Sequence, residues 1–513
     1  MEKKKQKIKE QVGQLFFVGI EGAKLSEEER KWLSEFSPGG ILLLPRNIKS
    51  PHQLFTLCQE LKKAACIPPF IAIDQEGGIV DRLSPFTPSF PSNLALGATV
   101  NAEYVYRQGT LTARLLKLLG ININLAPVVD LLVSRDNNGI GIRAFGSQPK
   151  LVIDFGRDYL RESKEQGVLG TLKHFPGLGR ASVDPHSELP VIEAGKETLW
   201  EQDISVFNEL SHYSAFIMVG HAAYPALVSD KRRPASLSTE IVSELLKGAL
   251  SYKGLVITDD LEMGAISNFT SLKESTIQAV KSGNDMVMFS SPGGQVRPIV
   301  SRLCAEMEQD HQFAGIVSSS VQKILAVKNN LTLGLLPINL QQEELTELFQ
   351  EIDILSHKIA EDSIVEMPSS GEDIIQAGTK PVVFYPRIKP LMTSLPGGSS
   401  VIGEALKPFC TEFMEESYSV ESPFLRKDAF PSRQIAVIFT YNAHWYPQQD
   451  GFMQEVQDHF PRCFHISLGL PGDLKAHRFL RSLAALSPTP SSIRAALRVL
   501  WGELSPRGKL PIR

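Results

Sequence analysis

Eight short apolar runs divide the first two-thirds of the chain, and a longer stretch with helical periodicity follows each of them. The runs are Phe16–Ile20, Gly39–Leu44, Pro68–Asp74, Ile121–Asp130, Val168–Phe175, Ala215–His221, Gly254–Asp260 and Asp285–Phe289. A run that is apolar at nearly every position, rather than at alternate ones, belongs to a strand buried on both faces, as in a parallel sheet covered by helices. The intervening helices include SEEERKWLSEF, opened by the capping residue Ser26, and TEIVSELLKGALSY, opened by Ser238 or Thr239. Eight β-then-α units in about 300 residues are the pattern of an α/β fold of the (β/α)8 TIM-barrel type. A doubly wound open sheet is the competing arrangement. No glycine-rich phosphate loop follows the first run, as its nucleotide-binding version would require.

The pattern changes after Leu336. A charged helical segment, LQQEELTELFQEIDIL, leads into a loop, and strand-like runs follow at Pro381–Phe384, Gln434–Tyr441 and Phe464–Leu468. The expected organisation is a catalytic barrel over 1–336, a linker with a helical segment over 337–374, and a smaller C-terminal α/β sandwich domain over 375–513. A chain of 513 residues is too long for one ordinary core, in keeping with that division.

Composition narrows the function classes. A net charge of −4 offers no basic stripe for nucleic acid. No stretch approaches the roughly 20 apolar residues of a membrane span, and the basic start MEKKKQKIKEQVGQ lacks the apolar core of a secretory signal. The five cysteines are odd in number, scattered and without CxxC spacing, which fits a reducing compartment better than a disulfide framework or a zinc site. A cytoplasmic protein with no nucleic-acid partner and no membrane span is expected.

The chemistry is legible in where the ionisable residues fall. Barrel enzymes gather their reacting groups at the carboxyl ends of the strands. Here the third run ends in Asp74, followed by Gln75 and Glu76; the fourth ends in Asp130, the fifth in Lys173 and His174, the sixth in His221, and the seventh in Asp259 and Asp260. One acid at a strand end is commonly a helix cap. Five of eight ends carrying such groups on one face call for a polar, convergent pocket. The loop after the fifth run, KHFPGLGRASVDPHSELP, adds Asp184 and His186 two residues apart. A carboxylate that accepts a hydrogen bond from an imidazole orients it and raises its basicity, giving a general acid/base near neutral pH. A retaining glycosidase needs one carboxylate to attack the anomeric carbon and one acid to protonate the departing oxygen. Asp259 suits the first role and His186, held by Asp184, the second. Asp74, Arg143 and Lys173 are placed to hold sugar hydroxyls through charge-assisted hydrogen bonds.

The segments IDQEGG (73–78), IRAFG (142–146), KHFPGLG (173–179), DPH (184–186) and TDDLEMGAI (258–266) occur in an order and spacing that resembles glycoside hydrolase family three. The likeness is to its bacterial β-N-acetylglucosaminidases of cell-wall recycling, and it covers the whole barrel. It implies that Asp259 is the nucleophile, that Asp184 and His186 form the acid/base dyad, and that Asp74, Arg82, Arg143, Lys173 and His174 contact the sugar. His221, at the sixth strand end, joins them as a candidate sugar contact. The resemblance also implies that neither metal nor cofactor is needed; HxH and HExxH spacings are absent, and Lys173 beside His174 would repel a cation.

VIFTYNA (437–443) and the closing ALRVLWGELSPRGKLPI are similar to the second domain of longer members. In β-glucosidases of the superfamily that domain supplies the acid, a service the D-x-H loop makes unnecessary here. The implied reaction is the retaining release of non-reducing terminal β-linked N-acetylglucosamine through a covalent glycosyl-enzyme. Its substrate would be a peptidoglycan-derived N-acetylglucosaminyl muropeptide or a chitooligosaccharide. A sugar-binding or sensing protein, a β-N-acetylglucosaminide phosphorylase and a β-glucosidase are the alternatives. Three positions depart from the family pattern: Ile79 replaces an arginine, Leu178 a histidine, and Pro185 a serine.

Overall fold

The computed structural model describes residues 2–512 except 134–138, 333–338, 372, 389–390, 392–399, 475–476 and 478. Each of the eight apolar runs supplies one strand of a closed parallel barrel. The strands are β1 (Phe16–Gly19), β2 (Gly40–Leu43), β3 (Phe70–Ile73), β4 (Ile123–Asn124), β5 (Leu169–Phe175), β6 (Phe216–Val219), β7 (Leu255–Asp260) and β8 (Met286–Pro292). Pairing of β1 with both β2 and β8 closes the ring.

Side chains alternate along each strand between the barrel interior and the surrounding helices. Phe17, Phe70, Phe216, Leu255 and Met286 belong to the interior cluster, with Leu42, Leu125, Met218 and Met288 beside them. Ile324, Val327 and Leu331 of the helix His311–Thr332 pack against the same cluster. Strand β4 is shorter than its apolar run because Pro127 has no N–H to donate to the ladder. Pairing resumes beyond it through the Val128–Lys173 bridge and the Val129 N–H to Lys173 carbonyl bond of 2.9 Å, which carries the chain to Asp130.

Local signals act as expected. Ser26 caps its helix by accepting the Glu29 N–H at 3.1 Å while Glu29 accepts the Ser26 N–H at 2.9 Å. Such a reciprocal cap contributes about 1 kcal/mol. Of the two candidates after β6, Ser238 is the cap, its Oγ accepting the Ile241 N–H at 3.3 Å.

The second sheet has six strands: β9 (Val365–Met367), β10 (Val382–Pro386), β11 (Met414–Tyr418), β12 (Ile435–Thr440), β13 (Arg462–Ser467) and β14 (Arg481–Ala484). Their order is β9-β14-β13-β12-β10-β11, with β9 antiparallel to its neighbour. One face packs Val383, Val437 and Ile466 against the helices Val401–Leu406 and Pro490–Leu500. The other packs Phe384, Ala436 and Ile438 against the helix Pro447–His459.

Half of these strands escape the periodicity reading. Strand β11 (MEESY) is a polar edge, β14 (RSLA) is short, and β9 lies inside the stretch expected as linker. The expected boundary at 336/337 lies outside the described residues. The helix Gln342–Ser363 packs against barrel helices on one side and Pro490–Leu500 on the other. Among the described residues no helix is long and apolar enough to cross a membrane.

Candidate active site

The carboxyl ends of the barrel strands surround a cavity of about 540 Å³. Its floor is apolar: Leu42, Met218 and Met288 rise from β2, β6 and β8, Leu125 follows β4 directly, and ionisable groups converge above them. Asp74, Arg82, Arg143, Lys173, His174, Asp184, His186 and Asp259 all line this one cavity.

On one side lies a buried ion cluster. Lys173, near the end of β5, has its side chain only 2% exposed, and its Nζ sits 2.9 Å from Asp74 and 2.6 Å from Glu76. Arg143 forms a two-pronged pair with Glu76 at 2.8 and 2.9 Å, and Arg82 reaches Asp74 at 3.4 Å. Burial pushes the Glu76 carboxyl up, but Arg143 and Lys173 outweigh it and hold the group well below the usual carboxylate range. Asp74 is likewise lowered, burial being overcome by Lys173 and Arg82. The Lys173 ammonium is in turn raised, because Asp74 and Glu76 more than offset its desolvation. The result is a fixed array of charged donors and acceptors on the cavity wall, already oriented before any polar ligand enters.

Glu76, noted after Asp74 in the sequence but given no role there, is a full member of this cluster. It stands two residues beyond Asp74, on the same side of the extended IDQEGG segment, so alternation in that motif carried the signal.

A second chain of contacts runs behind the cavity wall. Asp130 accepts the His174 Nδ1–H at 2.7 Å, the His174 backbone N–H at 3.1 Å and the Leu178 N–H at 2.7 Å. With Nδ1 committed to Asp130, the His174 Nε2 is turned toward Asp259, whose Oδ2 lies 4.0 Å away. Leu178 thus serves through its backbone and adds apolar wall to the cavity. At the end of β7, Asp259 Oδ1 accepts the Asp260 N–H at 2.8 Å. Burial raises the Asp259 carboxyl, yet His174 and the Asp260 N–H prevail and keep it below the ordinary value, ionised near neutral pH. Its neighbour Asp260, which also lines the cavity, is pushed up to about 6 by burial.

His221 does not take the place expected of it. It is fully buried, with Nε2 donating to the Asp260 carbonyl at 3.0 Å and Nδ1 accepting from the Ser236 hydroxyl at 2.8 Å. Burial lowers its basicity, in keeping with a neutral ring that uses both nitrogens inside the protein. His221 therefore braces the strand end that presents Asp259; it is not a wall of the cavity.

The Asp184–His186 loop closes the site from above. His186 Nδ1 lies 2.7 Å from Asp184 Oδ1, which also accepts the His186 backbone N–H at 2.9 Å. Pro185 lacks an N–H, but its carbonyl accepts from Ala265 at 3.1 Å, and the His186 carbonyl accepts from Gly264 at 3.1 Å. The loop thereby caps the short helix Gly264–Ser267 beyond β7. Glycine is required at 264, since a Cβ there would stand 2.4 Å from the Ser187 carbonyl oxygen. The hydrogen bond from His186 to Asp184 raises the imidazole above its ordinary value. Trp445 of the second domain is partly buried, packs against the barrel core and does not line the cavity.

Comparison with known proteins identifies the family of the barrel. The Glycosyl hydrolase family 3 N terminal domain matches residues 7–327. Beta-hexosaminidase A of Pseudoalteromonas piscicida is 32% identical over 318 residues, which is 58% of this chain and 52% of that protein. The chain thus spans about half the length of that relative. A Beta-hexosaminidase of Xylella fastidiosa strain M23 is 30% identical over 285 residues, covering 54% of this chain and 84% of the relative. Among solved structures, a glycoside hydrolase family 3 beta-N-acetylglucosaminidase from Paenibacillus sp. str. FPU-7 superposes over 98% of both chains with a TM-score of 0.89 and 30% identity. Beta-glucoside phosphorylase BglX shares the fold, at a TM-score of 0.80 and 20% identity over 98% of this chain and 93% of its own.

Proposed function

The chain belongs to glycosyl hydrolase family 3, and on that premise we propose that it releases non-reducing terminal β-linked N-acetylglucosamine with retention of configuration. The observation that carries the reading is the pairing, across one cavity, of an ionised strand-end carboxylate with an aspartate-held imidazole. Asp259 attacks the anomeric carbon and forms the glycosyl-enzyme. His186, whose basicity Asp184 raises, delivers its proton to the departing glycosidic oxygen when protonated. The neutral imidazole then takes a proton from the water that frees the sugar, and the cycle closes. Asp74, Glu76, Arg82, Arg143, Lys173 and His174 hold the sugar hydroxyls, and Asp130 keeps His174 in the tautomer that faces Asp259.

The names of the relatives support N-acetylhexosaminide over glucoside as substrate. We take the natural substrate to be a peptidoglycan-derived muropeptide or a chitooligosaccharide. The five free cysteines suit a reducing, cytoplasmic setting for it. The test is turnover of chromogenic β-N-acetylglucosaminide beside the β-glucoside, with and without phosphate. Cleavage of the N-acetyl substrate in phosphate-free buffer supports the reading. Turnover that requires phosphate makes the protein a phosphorylase, and sugar binding without turnover makes it a sensor.

The pH profile follows from the two opposed shifts. Activity needs Asp259 ionised and His186 protonated in the free enzyme. Asp259 is depressed, so kcat/KM rises through a value below that of an ordinary aspartate; His186 is raised, so kcat/KM falls through a value above that of an ordinary histidine. Asp184→Asn removes the principal cause of the second shift. It is expected to move the alkaline limb to lower pH and cut kcat by roughly 10²–10⁴-fold, the scale of a positioned proton donor. A kcat/KM profile of the two proteins, whose alkaline limbs would have to differ, checks it.

A further inference from the structure

We propose that the second domain tunes the sugar site without touching it, through the segment Phe90–Asn93, so that Ser92, Asn93 and Ser487 are positioning residues for the Glu76–Arg143 pair. The inference rests on the reading of that pair as sugar-binding. Among the described residues, nothing beyond 336 lines the cavity. Yet the two partners of its strongest ion pair are both fastened to one short stretch of chain.

Glu76 sits at the head of a glycine turn. The Gly78 N–H donates to the Phe90 carbonyl at 2.9 Å, and Gly78 has φ +60. A Cβ at Gly78 would stand 2.8 Å from both Cα and Cβ of Ser92, so the turn rests directly on that serine. Arg143 is held by the next residue: the buried Asn93 amide donates to the Arg143 carbonyl at 2.7 Å. The segment Phe90–Asn93 therefore sets the spacing between the two chains that meet as Glu76–Arg143.

The opposite side of this segment belongs to the second domain. Ser92 Oγ donates to the Leu486 carbonyl at 2.6 Å, and the Ser92 N–H donates to Ser487 Oγ at 3.1 Å. Leu486 and Ser487 follow β14 directly, and Leu486 is held at φ +58, a left-handed conformation that a leucine adopts only where surrounding contacts impose it. Ser92 also caps the helix Asn93–Thr99 by accepting the Ala95 N–H at 3.2 Å. A second strap meets the barrel four residues beyond Arg143: the Ser147 N–H donates to the Pro511 carbonyl at 2.9 Å. A two-pronged arginine–carboxylate pair is sensitive to small displacements, so loosening this bracket weakens the grip on sugar hydroxyls more than it alters the chemistry at Asp259.

The experiment compares wild type with Ser487→Ala, Asn93→Ala and the double variant, and includes Ser487→Thr as the conservative rescue. Three quantities are read: the KM and kcat on chromogenic β-N-acetylglucosaminide, inhibition by free N-acetylglucosamine, and substrate-free hydrogen exchange of peptides covering Glu76–Gly78 and Arg143–Phe145. Ser487→Ala is expected to raise KM and the inhibition constant roughly five- to tenfold with kcat within about twofold, the range of coupling through one buried bond. Exchange in the two barrel peptides should quicken, Ser487→Thr should restore all three readings, and the double variant should lose less than the product of the singles because both act through one path. A lowered melting temperature with KM, inhibition and barrel exchange at wild-type values would overturn the proposal. Should Asn93→Ala fail to fold, Ser487→Ala, the loss of a single hydroxyl, carries the test alone. Exchange needs no substrate, so wild type that cleaves nothing overturns the functional reading while the bracket is still judged.

Discussion

Asp259→Ala is expected to lose kcat by on the order of 10⁴–10⁶-fold, the scale on which deleting a covalent nucleophile acts, while the affinity for N-acetylglucosamine changes little. The reason is geometric. Asp259 leaves the ion cluster of Asp74, Glu76, Arg143 and Lys173 untouched, since its polar contacts are with the Asp260 N–H and the His174 edge. In the proposed mechanism binding and chemistry are thus carried by different groups in one cavity. Addition of azide, a small nucleophile able to enter the space left by the carboxylate, should restore turnover and give a glycosyl azide of inverted configuration. Retained activity in the purified variant would remove Asp259 from the mechanism. Lost activity with lost sugar affinity would point to a collapsed site instead.

The second large effect is on stability. Lys173→Met replaces a buried ammonium by an apolar group of similar length and leaves Asp74 and Glu76 facing each other with only Arg82 and Arg143 for compensation. Removing one partner of a buried ion cluster costs on the order of 3–5 kcal/mol. The loss here is expected at the lower end, because each carboxylate keeps an arginine. Denaturant unfolding of the barrel should show it as a lower midpoint.

The sign of the pH effect is fixed by the direction of the Glu76 shift. Its folded value lies well below its unfolded one, so its pairing contributes stability throughout the range above the unfolded value and loses it as pH falls through the folded value. Without Lys173 the depression is smaller, and acid unfolding should begin at a higher pH than in wild type. Equal acid midpoints in the two proteins would show that Lys173 does not stabilise Glu76. Sugar binding should fail as well, since the methionine offers no donor.

Much of the site was readable because its residues are tied to strand ends. Asp74, Lys173, His174 and Asp259 close apolar runs, and the barrel turns every such end toward one mouth. Arg82, Arg143, Asp184 and His186 lie outside the strands, where periodicity says nothing; the chemistry of the D-x-H pair singled out Asp184 and His186, charge singled out Arg143, and the motif resemblance added Arg82. His221 marks the limit of the strand-end argument. It ends a run as the others do, but the Ser236 hydroxyl and the Asp260 carbonyl take both its nitrogens. A residue's register along a strand tells which end it occupies; it does not tell whether a loop residue from elsewhere will reach it first.

What the sequence by itself determined is the barrel and the face of it on which the ionisable residues gather. Those features follow from local periodicity and from motif residues close together in the chain. Only the tertiary structure decided that Glu76 joins Arg143, that Asp130 orients His174, and that Ser487 of the second domain bears on Ser92. Each of these contacts spans 44 to 395 positions. Their partners are chosen by the packing of whole elements against one another, and no local pattern of apolar and polar residues encodes that distance. The same holds for the antiparallel edge of the second sheet: β9 comes from a stretch with the character of a linker and becomes a strand because β14 offers it an unpaired edge.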